Sequence, residues 1–185
     1  MNVYEEAIQF AAEKHSGYVR KMCTLPYVIH PLEVSVIVSA MTDDLNTMAA
    51  AVLHDTVEDA GVSIEEIGER FGETVKKLVA AETEDKRRNR PPEETWEIRK
   101  KEVLEAIRNS DNIEAKKICL ADKLSNMRSI KRLYDEKGAS LWNGFHQKDP
   151  AVQEQYYRAV LDSLSELSNT DAYRELEETV KYIFR

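Results

Sequence analysis

The sequence predicts an all-α protein, a compact multi-helix bundle, from two observations. Apolar residues recur at helical spacing through most segments, and no run alternates apolar and polar residues as a half-buried strand would. Hydrophobic residues make up 42% of the 185 residues, which is enough for a real core. That length suits one domain, so we expect residues 1–185 to form a single domain.

The N-terminal segment predicts a helix followed by a loop. Residues 17–30 form the loop, because a proline interrupts any helix there. Pro31 can open the next helix, where its missing N–H would be unpaired in any case. The apolar stripe of the first helix consists of Val3, Ala7, Phe10 and Ala11.

Start and stop signals define the next helices. One is predicted to begin near Asp44 and to continue through residue 59. Ser63 and Glu66 have the spacing of a capping box, and Gly72 suits the end of that helix. A further helix follows Gly72.

The second half of the chain begins with an exposed basic loop at residues 84–92. Helical patterning then resumes to the C-terminus, with no strand and no internal repeat. The predicted helices cover residues 93–108, 111–135, 151–167 and 171–184.

Charge and composition exclude several classes of protein. The net charge of −8 argues against a nucleic-acid binder that relies on a broad basic face. The two cysteines, Cys23 and Cys119, form no CxxC pair, so no zinc knuckle or thioredoxin motif is present. The N-terminus lacks the pattern of a secretory signal, and the apolar runs are too short to span a bilayer. We therefore expect a cytoplasmic protein that acts on neither membrane nor nucleic acid, with the oligomeric state, including a homo-oligomer, left open.

An apolar helical stretch ends in a group of polar residues. His54 and Asp55 follow directly on that stretch. Glu58 lies four positions after His54, and Asp59 lies four positions after Asp55. On a helix, residues at this spacing share one face. A metal held by His54 and Asp55 would therefore have two carboxylates beside it, able to orient or deprotonate a water. The plainer alternative is an acidic helix end before a turn at Gly61.

Two further residues can complete a metal site. His30 precedes a predicted helix, and Asp122 lies within an apolar helical stretch. Two imidazoles with two carboxylates suit Mn²⁺ or Fe²⁺, whereas closed structural Zn²⁺ sites favour cysteine. Alternatively, His30 is a satisfied turn histidine and Asp122 forms a buried ion pair with Lys123 or Arg128.

The order His30, then the adjacent pair His54-Asp55, then Asp122 resembles the H…HD…D signature of the HD superfamily of metal-dependent phosphohydrolases. Longer segments resemble the hydrolase domain of RelA/SpoT-type proteins, and most of all the stand-alone small alarmone hydrolases, including the metazoan type. The motifs HDTVED and LADKLSNM are the specific ones, and the similarity is weaker towards the C-terminus. The similar segments are 20–34, 50–79, 82–86 and 117–127.

This resemblance implies hydrolysis of the 3′-pyrophosphate of ppGpp or pppGpp, the alarmones of the stringent response, to GDP or GTP and pyrophosphate. It implies Mn²⁺ as the metal, with Fe²⁺ or Zn²⁺ less favoured. Glu58 and Asp59 match the family's catalytic acidic pair, and Glu58 is the first choice to position the attacking water. The residues that match the family's metal ligands are His30, His54, Asp55 and Asp122.

The resemblance also implies contacts with the nucleotide substrate. Arg20 and Lys21 match a basic pair that precedes the first ligand, and Asn126 matches an asparagine near the ribose. Lys148 and Tyr156 lie in a region that resembles the family's substrate-facing helix only loosely. The basic residues 86–90 are either substrate contacts or a solvated loop.

Two alternatives stay open at this point. Members of the family it resembles often have a polar or glycine-containing turn where this chain has MCTL at residues 22–25. The first alternative is therefore an HD-type phosphatase or nucleotidase that acts on another nucleotide, such as the 2′-phosphate of NADPH. The second is a nucleotide-sensing module without catalysis.

Overall fold

The computed structural model describes residues 1–185 and contains ten α-helices. No strand is formed, and the single isolated β-bridge joins Val19 to Pro26. The prediction of an all-α fold is therefore confirmed. The chain divides into two compact units, so the prediction of a single domain over residues 1–185 stays a prediction. The first unit contains Met1–Glu84 and Asn112–Asp122, and the second contains Asp85–Asp111 and Lys123–Arg185.

The first unit is built around one central helix, α3. This helix packs against α1, α2 and α6, and its residues 49–53 are completely buried. Asp44 caps it, since its carboxylate accepts hydrogen bonds from the backbone of Asn46 and Thr47. The helices of this unit are α1 (Val3–Lys14), α2 (Ile29–Ser39), α3 (Leu45–Leu53), α4 (Thr56–Asp59), α5 (Ile64–Phe71) and α6 (Glu73–Glu82).

The second unit contains most of the long helix α8, whose residues up to Asp122 belong to the first unit. Within this unit, α9 packs against both α7 and α10. A short 3₁₀ segment, Gly138–Gly144, follows α8, and its Trp142 stacks on Phe184 with a ring separation of 5.4 Å. The helices are α7 (Pro92–Asn109), α8 (Ile113–Lys137), α9 (Pro150–Ser163) and α10 (Asp171–Ile183).

The helix predicted from Asp44 through residue 59 is interrupted after Leu53, so that prediction was wrong in one detail. Two side chains explain the break. The Thr56 hydroxyl donates a hydrogen bond to the Leu53 carbonyl at 2.7 Å, and the His54 ring bonds the Ala51 carbonyl at 2.8 Å. Side chains that satisfy backbone groups in this way compete with a continuing helix.

Other local predictions hold in part. Gly72 ends α5 with φ of 89°, a backbone conformation that favours glycine. Ser63 accepts a hydrogen bond from the Glu66 N–H, but the Glu66 carboxylate lies 3.5 Å from the Lys14 ammonium instead of completing the capping box. Cys119 is buried in the core. None of the helices combines the length and the hydropathy that a bilayer crossing requires.

Candidate active site

Four of the predicted residues come together within the first unit. His30 lies at the start of α2, His54 and Asp55 follow α3, and Asp122 lies on α8. The His30 Nε2 atom is 3.1 Å from Asp122 Oδ1 and 3.4 Å from Asp55 Oδ2. The His54 Nε2 atom is 3.2 Å from Asp55 Oδ2 and 3.8 Å from Asp122 Oδ1. Two imidazoles and two carboxylates therefore face one point, and both imidazoles are buried.

The His54 ring is oriented by its other nitrogen. Its Nδ1 donates to the Ala51 carbonyl, so Nε2 is the atom directed at the carboxylates. That Nε2 is buried and makes no hydrogen bond, because its approach to Asp55 lacks hydrogen-bond geometry. A buried polar atom without such a partner is costly, and a metal ion bound at Nε2 would satisfy it.

The electrostatics of this group favour a positive charge at its centre. Burial alone would lower the pKa of His54, but the carboxylates of Asp55 and then Asp122 outweigh burial and raise it to about 10. Burial alone would raise the pKa of Asp55, but His54 and then His30 hold it well below its usual range. The same arrangement that keeps a proton on His54 would favour a divalent cation in the proton's place.

A second group of acids adjoins the first. Ligand oxygens of Asp55, Glu58 and Asp59 all lie within 4.8 Å of one another. The Glu84 backbone N–H donates to Glu58 Oε2 at 2.9 Å, which fixes that carboxylate. Glu58 and Asp59 therefore lie beside Asp55, although α3 and α4 are separate helices, and their catalytic role stays a prediction.

Tyr27 also belongs to this group, although its sequence position did not predict it. Its hydroxyl lies 2.6 Å from Asp55 Oδ2 and 3.3 Å from Asp59 Oδ2. Burial and then the Asp55 carboxylate raise the pKa of Tyr27 above its ordinary value, so the phenol keeps its proton and acts as a donor. The only signal in the sequence is its position three residues before His30.

His15 is buried against the Tyr27 ring with a ring separation of 4.9 Å. Neither of its ring nitrogens has a hydrogen-bond partner. Burial lowers the pKa of His15, which keeps the imidazole neutral near pH 7.

The predicted nucleotide contacts are divided between the two units. In the first unit, Arg20 is half-buried with its guanidinium 5.6 Å from the centre of the Tyr27 ring, and Lys21 is exposed. The second unit contains the other three, of which Asn126 is half-buried, Lys148 is exposed and Tyr156 is buried.

The surroundings of Tyr156 are aromatic. Its ring packs edge-on against Trp96 and Tyr157, and the Lys100 ammonium lies 5.5 Å above its centre. The side chain therefore has a packing role within the second unit, alongside any contact with substrate.

The basic loop is partly neutralised by ion pairs within the second unit. The Arg87 guanidinium forms a two-bond pair with Glu102, at 2.6 and 2.8 Å, and Arg90 lies 3.4 Å from Glu94. Two of its positive charges are thus already paired with carboxylates, and a role for residues 86–90 in substrate binding stays a prediction.

The MCTL turn has a strained residue. Met22 has a φ of 60°, in the left-handed region where glycine is favoured.

The fold and the site indicate the protein family to which this chain belongs. The sequence model of the HD domain matches residues 7–148, so the chain belongs to the HD domain family. This confirms the membership inferred from the order of histidines and aspartates.

Two named enzymes are similar to 97% and 72% of this chain. Human guanosine-3′,5′-bis(diphosphate) 3′-pyrophosphohydrolase MESH1 is 34% identical over 183 residues, which are 97% of this chain and 92% of the human protein. The bacterial protein of the same enzymatic name from Aquifex aeolicus is 37% identical over 133 residues, which are 72% of this chain and 18% of that longer protein.

Solved structures show the same fold. A metazoan orthologue of SpoT, described as hydrolysing ppGpp and acting in starvation responses, superposes with a TM-score of 0.78 and 30% identity over 98% of this chain and 96% of that one. The crystal structure of lmo0812 from Listeria monocytogenes gives a TM-score of 0.73 at 30% identity and covers 84% of this chain and 98% of that one.

Proposed function

We propose that this protein hydrolyses guanosine 3′,5′-bis(diphosphate), ppGpp, and the corresponding pentaphosphate to GDP or GTP and pyrophosphate. The observation that carries the proposal is the convergence of two imidazole nitrogens and two carboxylates beside the acidic pair Glu58 and Asp59. The names of the human and Aquifex relatives support the same reaction.

A divalent metal is part of the proposal, with Mn²⁺ preferred to Fe²⁺ or Zn²⁺. The Nε2 of His54, which makes no hydrogen bond, and the mixed nitrogen and oxygen donors fit such an ion. When bound, the metal supplies Lewis-acid stabilisation of the phosphoryl charge and activates water for attack. The residues that would hold it are His30, His54, Asp55 and Asp122.

Glu58 is the general base in this proposal. The Glu84 N–H holds its Oε2 atom, so the carboxylate has a defined orientation beside Asp55. The carboxylate takes a proton from the water as the water oxygen forms a bond to phosphorus. The bond from that phosphorus to the ribose 3′-oxygen breaks, the 3′-oxygen takes a proton from solvent, and Glu58 returns its own proton to solvent. Asp59, which belongs to the same acidic group, would help to orient the water.

The substrate brings several negative charges to a protein whose net charge is −8, so binding needs local positive charge. Arg20 and Lys21, which lie in the loop before His30, are proposed to bind the nucleotide. The remaining proposed contacts are Asn126, Lys148 and Tyr156. A cytoplasmic location and the oligomeric state both stay predictions.

A substrate panel tests the proposal. The Mn²⁺-loaded protein is incubated with ppGpp, pppGpp, NADPH and 5′-nucleotides, and the products are separated by anion exchange. We expect GDP and pyrophosphate from ppGpp. Inorganic phosphate from NADPH with no turnover of ppGpp would refute the substrate and point instead to an HD-type phosphatase. No turnover of any nucleotide, with the metal bound, would favour a sensing module.

A further inference from the structure

Tyr27 lies at the point where the loop after α1 joins α2. Its backbone N–H donates to the Tyr18 carbonyl at 2.8 Å, and the Arg20 N–H donates to the Leu25 carbonyl at 2.9 Å. The Tyr27 carbonyl accepts a hydrogen bond from the His30 N–H at 3.0 Å. The loop is therefore closed at its base, and the backbone of Tyr27 is tied directly to that of His30.

The Tyr27 ring is held by its neighbours. The buried His15 ring packs against it at 4.9 Å, and the His30 ring meets it edge-on at 6.0 Å. The Arg20 guanidinium lies 5.6 Å from the ring centre. Contacts from three side chains leave the ring little freedom, so the hydroxyl is fixed in position.

That hydroxyl reaches the candidate site. It donates to Asp55 Oδ2 at 2.6 Å, a length typical of a strong bond from O–H to a carboxylate. Asp59 Oδ2 lies 3.3 Å from the same hydroxyl. One phenol thus touches both a carboxylate proposed to bind the metal and a carboxylate of the proposed catalytic pair.

We propose that Tyr27 is a positioning residue, whose hydroxyl holds the Asp55 carboxylate in its metal-binding orientation and links it to Asp59. The inference rests on the proposed metal site. Groups that hydrogen-bond a metal ligand orient that ligand, and their loss commonly weakens metal binding about 10–100-fold. His15 supports this role through ring packing, because its nitrogens have no partner to act through.

The test removes the hydroxyl and keeps the ring. Mn²⁺ binding to metal-free wild-type protein and to Tyr27→Phe is measured by calorimetry, without any nucleotide. The matched control is Tyr18→Phe, which removes a hydroxyl from the exposed tyrosine of the same loop. We expect the dissociation constant of Mn²⁺ to rise about 10–100-fold in Tyr27→Phe and to stay unchanged in the control.

A second variant separates packing from hydrogen bonding. His15→Phe keeps an aromatic ring against Tyr27, so we expect it to bind Mn²⁺ as the wild type does. Weakened binding in His15→Phe as severe as in Tyr27→Phe would overturn the assignment of His15 to packing.

Melting of the metal-free proteins distinguishes positioning from a merely structural role. A structural tyrosine would lower the melting temperature of the metal-free protein and leave the Mn²⁺ dissociation constant unchanged, and that result would overturn the inference. If wild-type protein binds no Mn²⁺, the metal site itself is refuted and the inference falls with it. Failure to hydrolyse ppGpp with normal Mn²⁺ binding would refute the proposed substrate alone.

Discussion

The substitution Glu58→Gln tests the assignment of Glu58 as the general base. The Glu84 N–H donates to Glu58 Oε2 at 2.9 Å, and a glutamine carbonyl oxygen can accept the same bond. The variant therefore keeps the anchor and the shape of the side chain, while it loses the ability to take a proton from water.

Loss of a positioned general base commonly lowers the rate by about 10²–10⁴. This factor corresponds to about 3–5 kcal/mol of lost transition-state stabilisation. We expect kcat for ppGpp hydrolysis to fall by that factor in Glu58→Gln, measured by anion-exchange separation of GDP. Mn²⁺ affinity should stay at the wild-type value, because Glu58 is outside the four proposed ligands.

The matched control is Glu65→Gln, which removes one negative charge from an exposed position in the first turn of α5. It should leave kcat unchanged. Normal turnover by Glu58→Gln would refute the assignment of the base. Loss of Mn²⁺ binding by that variant would instead make Glu58 a metal ligand.

Two more predictions address the ligands and the fold. Asp122→Asn should weaken Mn²⁺ binding by more than the roughly 10–100-fold expected for a residue that only hydrogen-bonds to a metal ligand. Calorimetry that shows wild-type affinity would contradict the assignment of Asp122 as a ligand. Asp44→Ala should cost about 1 kcal/mol in urea unfolding at pH 7, because it removes the cap of α3. The hydrogen bond from Thr47 lowers the pKa of Asp44 below its usual value, opposed by burial. The stabilisation is therefore present at neutral pH and lost as the pH falls through that lowered pKa; an equal cost of Asp44→Ala well below that pKa would contradict this reasoning.

Helix positions were predictable where the signals are local. Proline, Ser63 and Gly72 mark helix ends through their own backbone preferences, so the predicted boundaries fall close to the observed ones. The break after Leu53 was not predictable from periodicity, because it depends on bonds from Thr56 and His54 to carbonyls of the preceding turn. The 3₁₀ segment Gly138–Gly144 also lacked a periodic signal.

The site was predictable to the extent that residue type and order define it. The order of His30, the pair at positions 54 and 55, and Asp122 identified two histidines whose Nε2 atoms the fold brings within 4 Å of both aspartate carboxylates. Tyr27 was not predicted as a site residue because its hydrogen-bond partner, Asp55, lies 28 positions away in the sequence. Tyrosine is also common in packing, so its type alone indicates no role.

The central claim is that this four-residue group supports metal-dependent hydrolysis of ppGpp. The most direct test strips the protein with a chelator, removes the chelator, and follows ppGpp with and without added Mn²⁺. We predict no product from the stripped protein and equal amounts of GDP and pyrophosphate once Mn²⁺ is restored. Full activity in the stripped protein, or intact ppGpp after Mn²⁺ is restored, would contradict the account.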